Sequence, residues 1–176
     1  MQQESEIIER LWREHRIDAE GLQTLLATKE QACLEELYAR ARETAQRIYG
    51  NKIYIRGLIE FTNYCKNNCY YCGIRCENQR AERYRLTKEE ILSCCETGYG
   101  LGFRTFVLQG GEDPYYTDER VCGLVSAIRE HYPDCAITLS IGEKPKESYQ
   151  AYFDAGANRY LLRHETADEA HYGRLH

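Results

Sequence analysis

"RTFVLQGGEDPYYTDERVCGLVSAIREHYPDCAITLSIG", residues 104–142, decides the fold. "RTFVLQGG" (104–111) is an apolar run of strand length that ends in paired glycines, and "CAITLSIG" (135–142) is a second such run. The residues between them, "TDERVCGLVSAIREHY" (117–132), read as a helix. Strand, helix, strand in that order is a βαβ unit, whose strands lie parallel and whose crossover is right-handed.

The same rhythm extends in both directions. Upstream, "KIYIRGLIEFT" (52–62) reads as a strand rich in Ile and aromatic residues. A cysteine-rich loop follows it, then "TKEEILSCCETGYGLG" (87–102), a helix capped by Thr87 with acidic residues in its first turn. Downstream come "PKESYQAYFDAG" (145–156, helix), "NRYLLRHE" (158–165, strand) and "TADEAHYGRLH" (166–176), which opens another helix. Strands and helices thus alternate four times, as in an open doubly wound sheet or a curved (β/α) barrel. A fourth strand followed by a barely begun helix is the expectation for a truncated barrel.

Residues 1–50 read as helices, and 51–176 as the half barrel. "SEIIERLWREH" spaces Ile7, Ile8, Leu11 and Trp12 helically, and Asp18 caps a helix expected to align Leu22, Leu25 and Leu26 on one face. "EQACLEELYARARETAQRIYG" (30–50) is the longest pattern, with Gly50 as its stop and Cys33 as a small core residue.

Bulk properties narrow the function. The 176 residues are 43% hydrophobic and 29% charged, ordinary for a globular domain. A net charge of -5 gives no electrostatic reason for nucleic acid or an anionic membrane as partner, and "RYRL" (83–86) is too short a basic cluster to reverse that. The N-terminus has no apolar run suited to a signal peptide or a membrane span, which points to the cytoplasm. Thiols stay reduced there, and nine cysteines cannot all pair, so disulfides do not explain them.

Four of those cysteines crowd into "FTNYCKNNCYYCGIRC" (61–76), directly after the first strand. Chemistry in parallel α/β folds gathers at the carboxyl ends of strands, and each end here carries unusual residues. The second strand ends in "QGGEDPYY" (109–116), where paired glycines allow close backbone approach beside two carboxylates. The third ends in "TLSIGE" (138–143), with Thr138 and Ser140 on one face. The fourth ends in "RYLLRHE" (159–165), with Arg159, Arg163 and Glu165 on one face and His164 on the other. Bland readings stand beside these: a turn for the glycines, solvated loop carboxylates for Glu112 and Asp113, and a structural ion pair for Arg163 and Glu165.

Structural zinc prefers four ligands, commonly as two separated pairs, and no second pair is present. Cys65, Cys69 and Cys72, spaced C-x3-C-x2-C, suit three irons of a [4Fe–4S] cube with the fourth iron left open. Cys76 is the alternative fourth ligand, although a closed cluster would leave the surrounding polar groups unused.

This run, with Tyr71 just before the last cysteine, resembles the cluster loop of radical S-adenosylmethionine (SAM) enzymes, and "QGGE" resembles their GGE motif. "IRGLIEFTNYCKNNCYYCGIR", "RYRLTKEEIL", "FRTFVLQGGEDPYY" and "NRYLLRHETAD" together resemble the HydE family of [FeFe]-hydrogenase maturases. Methylornithine synthase is a close relative of that family, and biotin synthase a distant one.

The resemblance implies a radical SAM (TIM-like) barrel with a [4Fe–4S] cluster on Cys65, Cys69 and Cys72, and SAM chelated by the open iron. It implies that Gly110, Gly111 and Glu112 edge the methionyl amino group of SAM and that Arg163 faces its carboxylate. Ser140 and Glu165 would hold the sugar or methionyl part, and Tyr71 would help place the adenine, mostly through its backbone. Reductive cleavage of SAM to methionine and a 5′-deoxyadenosyl radical is the implied chemistry, with no side chain needed as a general base. The implied partners are a small or organometallic substrate, an electron donor such as flavodoxin or ferredoxin, and other hydrogenase maturation proteins. The chain departs from the family in length, about half of a full barrel with its extensions, and in having a cysteine at 76. A zinc-binding module or an inert fragment is the non-enzyme alternative. Cys94, Cys95, Cys122 and Cys135 read as packing residues.

Overall fold

The computed structural model describes residues 2–176, which form two compact units divided after Tyr54. The first unit holds helices α1 (Gln2–Glu14), α2 (Ala19–Ala27) and α3 (Gln31–Tyr49). Its small core is Ile8, Leu25 and Cys33, joined by Ile7, Leu11 and Leu37. Asp18 caps α2 by accepting the Gly21 amide at 2.7 Å, and Gly50 ends α3. Of the three leucines expected to share the buried face of α2, only Leu25 is buried; Leu22 and Leu26 are exposed. Three helices make a narrow core, and the buried stripe of a nine-residue helix is one residue wide here.

The second unit follows the order β1 (Gly57–Thr62), α4 (Lys88–Gly100), β2 (Thr105–Gly110), α5 (Asp118–His131), β3 (Ala136–Ser140), α6 (Lys146–Asp154), β4 (Arg159–Tyr160), α7 (Glu169–Leu175). Thr87 and Glu90 form a reciprocal capping box at the start of α4, which fixes where the chain turns from loop to helix. All neighbouring strands are parallel, in the spatial order β1-β2-β3-β4. A doubly wound sheet reverses its order at a switch point and carries helices on both faces, whereas a barrel winds consecutively with helices outside.

The core confirms barrel winding. Ile91 and Cys95 of α4, Val121, Val125 and Ile128 of α5 and Tyr152 of α6 form one cluster. They pack on Ile59, Phe61, Phe106, Leu108, Ile137 and Leu139, all from one face of the sheet. The other face presents Leu58, Glu60, Val107, Gln109, Thr138 and Ser140, and none of them belongs to that cluster. This is the wall of a (β/α) barrel, with the helices outside and a largely polar inner face.

Two boundaries differ from expectation. β1 begins at Gly57 rather than residue 52, leaving Ile53, Tyr54 and Ile55 exposed. β4 spans two residues, and the last ladder hydrogen bond runs from the Leu161 amide to the Leu139 carbonyl (2.8 Å). Among the described residues, no helix is long and apolar enough to cross a membrane.

Candidate functional site

The carboxyl ends of the four strands open into one cavity of about 660 Å³, within the size range of small-molecule sites. Cys65, Cys69 and Cys72 line one side, with Tyr71 beside them. Gly110, Gly111 and Glu112 line the end of β2, Ser140 the end of β3, and Arg163 and Glu165 the segment after β4. Cys76 does not line it; its thiol is on an exposed residue whose amide is held by the Asn67 carbonyl (2.9 Å).

The loop after β2 and the cysteine loop are built against each other. A side chain at Gly111 would run into the Tyr64 carbonyl oxygen and come within 2.7 Å of the Cys65 Cβ, so only glycine allows this approach. The Lys66 amide donates to the Glu112 carbonyl at 3.0 Å. Asn67 Nδ2 donates to Glu112 Oε1 (2.9 Å), and Lys66 Nζ lies 3.2 Å from Glu112 Oε2. Gly142, at a φ of 82°, makes room on the other side, where any Cβ would strike the Glu112 side chain. Glu112 is therefore a tether of the cysteine loop as well as a cavity carboxylate, and not a solvated one.

Asp113 departs further from the solvated reading. It is buried and forms a bidentate pair with Arg85, at 2.6 Å to Nε and 2.9 Å to Nη2. Thr62 Oγ1 and the Tyr115 amide also donate to it, at 2.7 and 3.0 Å. Burial alone would raise the Asp113 carboxyl, but these hydrogen bonds and the Arg85 charge outweigh it and hold its pKa below the usual range. The Arg85 guanidinium lies over the Tyr64 ring (3.8 Å) and near that of Tyr115 (4.8 Å). Asp113 thus bolts the end of β1 to the loop after β2 and stays outside the cavity.

Arg163 and Glu165 reach the cavity by a different route from strand alternation. Past Leu161 the backbone leaves the sheet, and Glu165 turns it with a φ of 57°. Leu161, Leu162, Arg163 and Glu165 all line the cavity, while His164 lines a smaller neighbouring depression and Arg159 lines neither. Among the described residues Arg163 and Glu165 form no ion pair, and both are exposed residues at the edge of the cavity.

Burial pushes the Cys69 thiol up, and the neighbouring cysteines add to that. Tyr71 is pushed up to about 12, first by burial, then by the Glu165 carboxylate and Cys69. Its hydroxyl lies 2.6 Å from His176 Nε2, and His176 stacks on Tyr172, whose hydroxyl donates to Glu143 at 2.9 Å. Tyr172, His176, Glu60 and Gln109 are lining residues that sequence reading left out. For Glu60 and Gln109 a signal existed, because each is a polar residue in an apolar strand on the side facing away from the helices. Of the cysteines read as packing, Cys95 and Cys135 are buried and burial pushes Cys95 up to about 12, whereas Cys94 is exposed on α4.

Cys65, Cys69 and Cys72 line the same cavity, and cysteine thiolates are the donors that iron–sulfur clusters take.

Residues 59–176 match the family model described as the radical SAM superfamily. The chain belongs to that superfamily. It is 41% identical over 170 residues to the [FeFe] hydrogenase maturase subunit HydE of Thermotoga maritima, covering 97% of this chain and 48% of that protein. The 3-methylornithine synthase of Methanosarcina barkeri is 37% identical over 156 residues, covering 88% and 44%. Among solved structures, methylornithine synthase (PylB) superposes with a TM-score of 0.81 at 34% identity, over 96% of this chain and 50% of that one. HydG, a maturase of the [FeFe]-hydrogenase, superposes at 0.89 with 28% identity, over 99% and 40%. The chain thus spans about half the length of the relatives it matches. Membership of the radical SAM superfamily implies an iron–sulfur cluster and SAM as cofactors.

Proposed function

We propose that this chain is the cluster- and SAM-binding half of a radical SAM enzyme that acts in maturation of the [FeFe]-hydrogenase cofactor. The observation that carries the proposal is the cavity. Cys65, Cys69 and Cys72 open into it together with the ends of all four strands, and Cys76 stays outside. In this reading the three thiolates hold a [4Fe–4S] cluster and leave one iron for SAM. When bound, the pair supplies one-electron cleavage of the sulfonium, the source of a 5′-deoxyadenosyl radical.

The chain's own residues bind and orient. Arg163 takes the methionyl carboxylate of SAM, and a guanidinium suits this because its planar fork matches a carboxylate. Gly110, Gly111 and Glu112 take the amino group. An ionised carboxylate has about four acceptor positions, so Glu112 can accept from Asn67, Lys66 and the N–H of an amino group at once. Ser140 and Glu165 hold the ribose or methionyl part, and Tyr71 borders the adenine. A flavodoxin or ferredoxin supplies the electron, other maturation proteins receive the product, and the substrate is small or organometallic. Identity to HydE supports the maturation reading.

The test is anaerobic reconstitution of the full-length protein, with SAM titrated against the cluster's electron paramagnetic resonance signal and products assayed after reduction. A SAM-dependent signal shift, 5′-deoxyadenosine, and support of hydrogenase maturation in vitro are expected. Formation of 3-methylornithine instead would move the enzyme to the other relative's activity, and absence of a SAM-responsive cluster would overturn the reading.

A further inference from the structure

The tripeptide Arg83-Tyr84-Arg85 is basic, yet the proposed chemistry uses neither arginine. Arg85 is accounted for by Asp113. Arg83 points the other way, into the back of the cysteine loop. Its Nη1 donates to the Asn63 and Ile74 carbonyls, the latter at 2.8 Å. Its Nη2 donates to the Arg75 carbonyl at 2.7 Å and the Asn78 carbonyl at 3.3 Å. Among the described residues no carboxylate pairs with Arg83; its partners are main-chain oxygens.

These four carbonyls bracket the loop. Asn63 precedes Cys65, and Ile74, Arg75 and Asn78 follow Cys72. One planar cation thus ties the entry of the loop to its exit. The loop has little regular structure of its own: Cys72 N to Cys69 O (3.0 Å) and Arg75 N to Cys72 O (3.3 Å) are single turns, and Cys76 N to Asn67 O (2.9 Å) is a lone contact across the loop. A free loop of this kind would have to be ordered when its ligand binds, at an entropic cost. Tyr84 secures the clamp's own position, since its amide donates to Asn63 Oδ1 (2.8 Å) and its carbonyl accepts the Asn63 amide (3.3 Å).

We propose that Arg83 is a positioning residue that holds the Cys65–Cys72 loop in its ligand-presenting shape before any cofactor arrives. That this shape serves a cluster rests on the function proposed above; the clamp itself does not. Lysine, a point charge with one ammonium, cannot span two groups of carbonyls in this way, so the clamp requires the guanidinium fork.

The test is amide hydrogen exchange on the cofactor-free chain, comparing wild type with Arg83→Lys and Arg83→Ala. Loss of several charge-assisted hydrogen bonds should speed exchange of the Lys66, Cys72, Arg75, Cys76 and Asn78 amides by about tenfold or more. The β2 and β3 amides, which report the global fold, should be unchanged. Arg83→Lys should behave like Arg83→Ala, and should take up less iron per chain on reconstitution and lose it faster to a chelator. Should Arg83→Ala not fold, Arg83→Lys carries the comparison. Wild-type loop protection in either variant, or full rescue by lysine, overturns the proposal. Failure of wild type to bind a cluster, with the exchange difference intact, would instead overturn the function and leave the clamp standing.

Discussion

Leu58 and Leu108 lie on adjacent strands, one register position apart, on opposite faces of the same sheet. Leu108 is 1% exposed, packed within the cluster that α4, α5 and α6 close over; Leu58 is 55% exposed. The same side chain thus meets two environments within one strand spacing. The helix-covered face is finished by residues of this chain and holds it together. The inner face carries Glu60, Gln109, Thr138 and Ser140, and its upper rim becomes the cavity. Stability and chemistry are assigned to opposite sides of one sheet, as barrel architecture demands.

The division can be broken most directly by mutation. Leu108→Ala removes a fully packed side chain and should cost about 2–5 kcal/mol in urea unfolding. Next comes Arg85→Ala, which strands the Asp113 carboxylate, itself 1% exposed, without a counter-charge. The range for such losses is about 3–5 kcal/mol, and the partial exposure of Arg85 puts the expectation at about 3. Asp113→Ala should cost less than Arg85→Ala, because the arginine left behind can reach water.

Acid is the third lever. Asp113 is held below its ordinary value of 3.8, and Asp118 is lowered too, by hydrogen bonds from the Ser148 and Tyr152 hydroxyls. A depressed carboxyl stabilises the fold fully above its unfolded pKa, and that contribution is lost as pH falls through the folded value. Unfolding free energy should therefore drop as pH falls from 3.8 downward, and the drop should shrink in Asp113→Asn. A flat profile in wild type would contradict both assignments. The smallest effect belongs to Leu58→Ala, about 0.5 kcal/mol or less in this chain. A cost matching Leu108→Ala would mean that the inner face is packed after all.

What was legible in the sequence was whatever a short stretch encodes. Strand–helix order, the caps at Asp18 and Thr87, the cysteine spacing and the glycine pair are all local, and they lie where their patterns placed them, although β1 starts at Gly57 and β4 is cut to two residues. The open choice between an open sheet and a barrel needed spatial strand order, which no single segment contains. Asp113 shows the same limit: its burial depends on Arg85, 28 residues away, arriving over Tyr64. Arg163 and Glu165 line the cavity, but through a backbone that has left the strand, so period-two alternation wrongly grouped Arg159 with them. Leu22 and Leu26 illustrate the helical counterpart, where an apolar stripe was wider than the core available to bury it.

The proposed function assigns the cluster to Cys65, Cys69 and Cys72, which line the cavity, and leaves out Cys76, which does not. Iron and sulfide per chain, measured after anaerobic reconstitution of wild type, Cys69→Ala and Cys76→Ala, tests that assignment most directly. One four-iron cluster is expected in wild type and in Cys76→Ala, with the cluster lost in Cys69→Ala. Loss of the cluster in Cys76→Ala, or its retention in Cys69→Ala, would contradict the assignment.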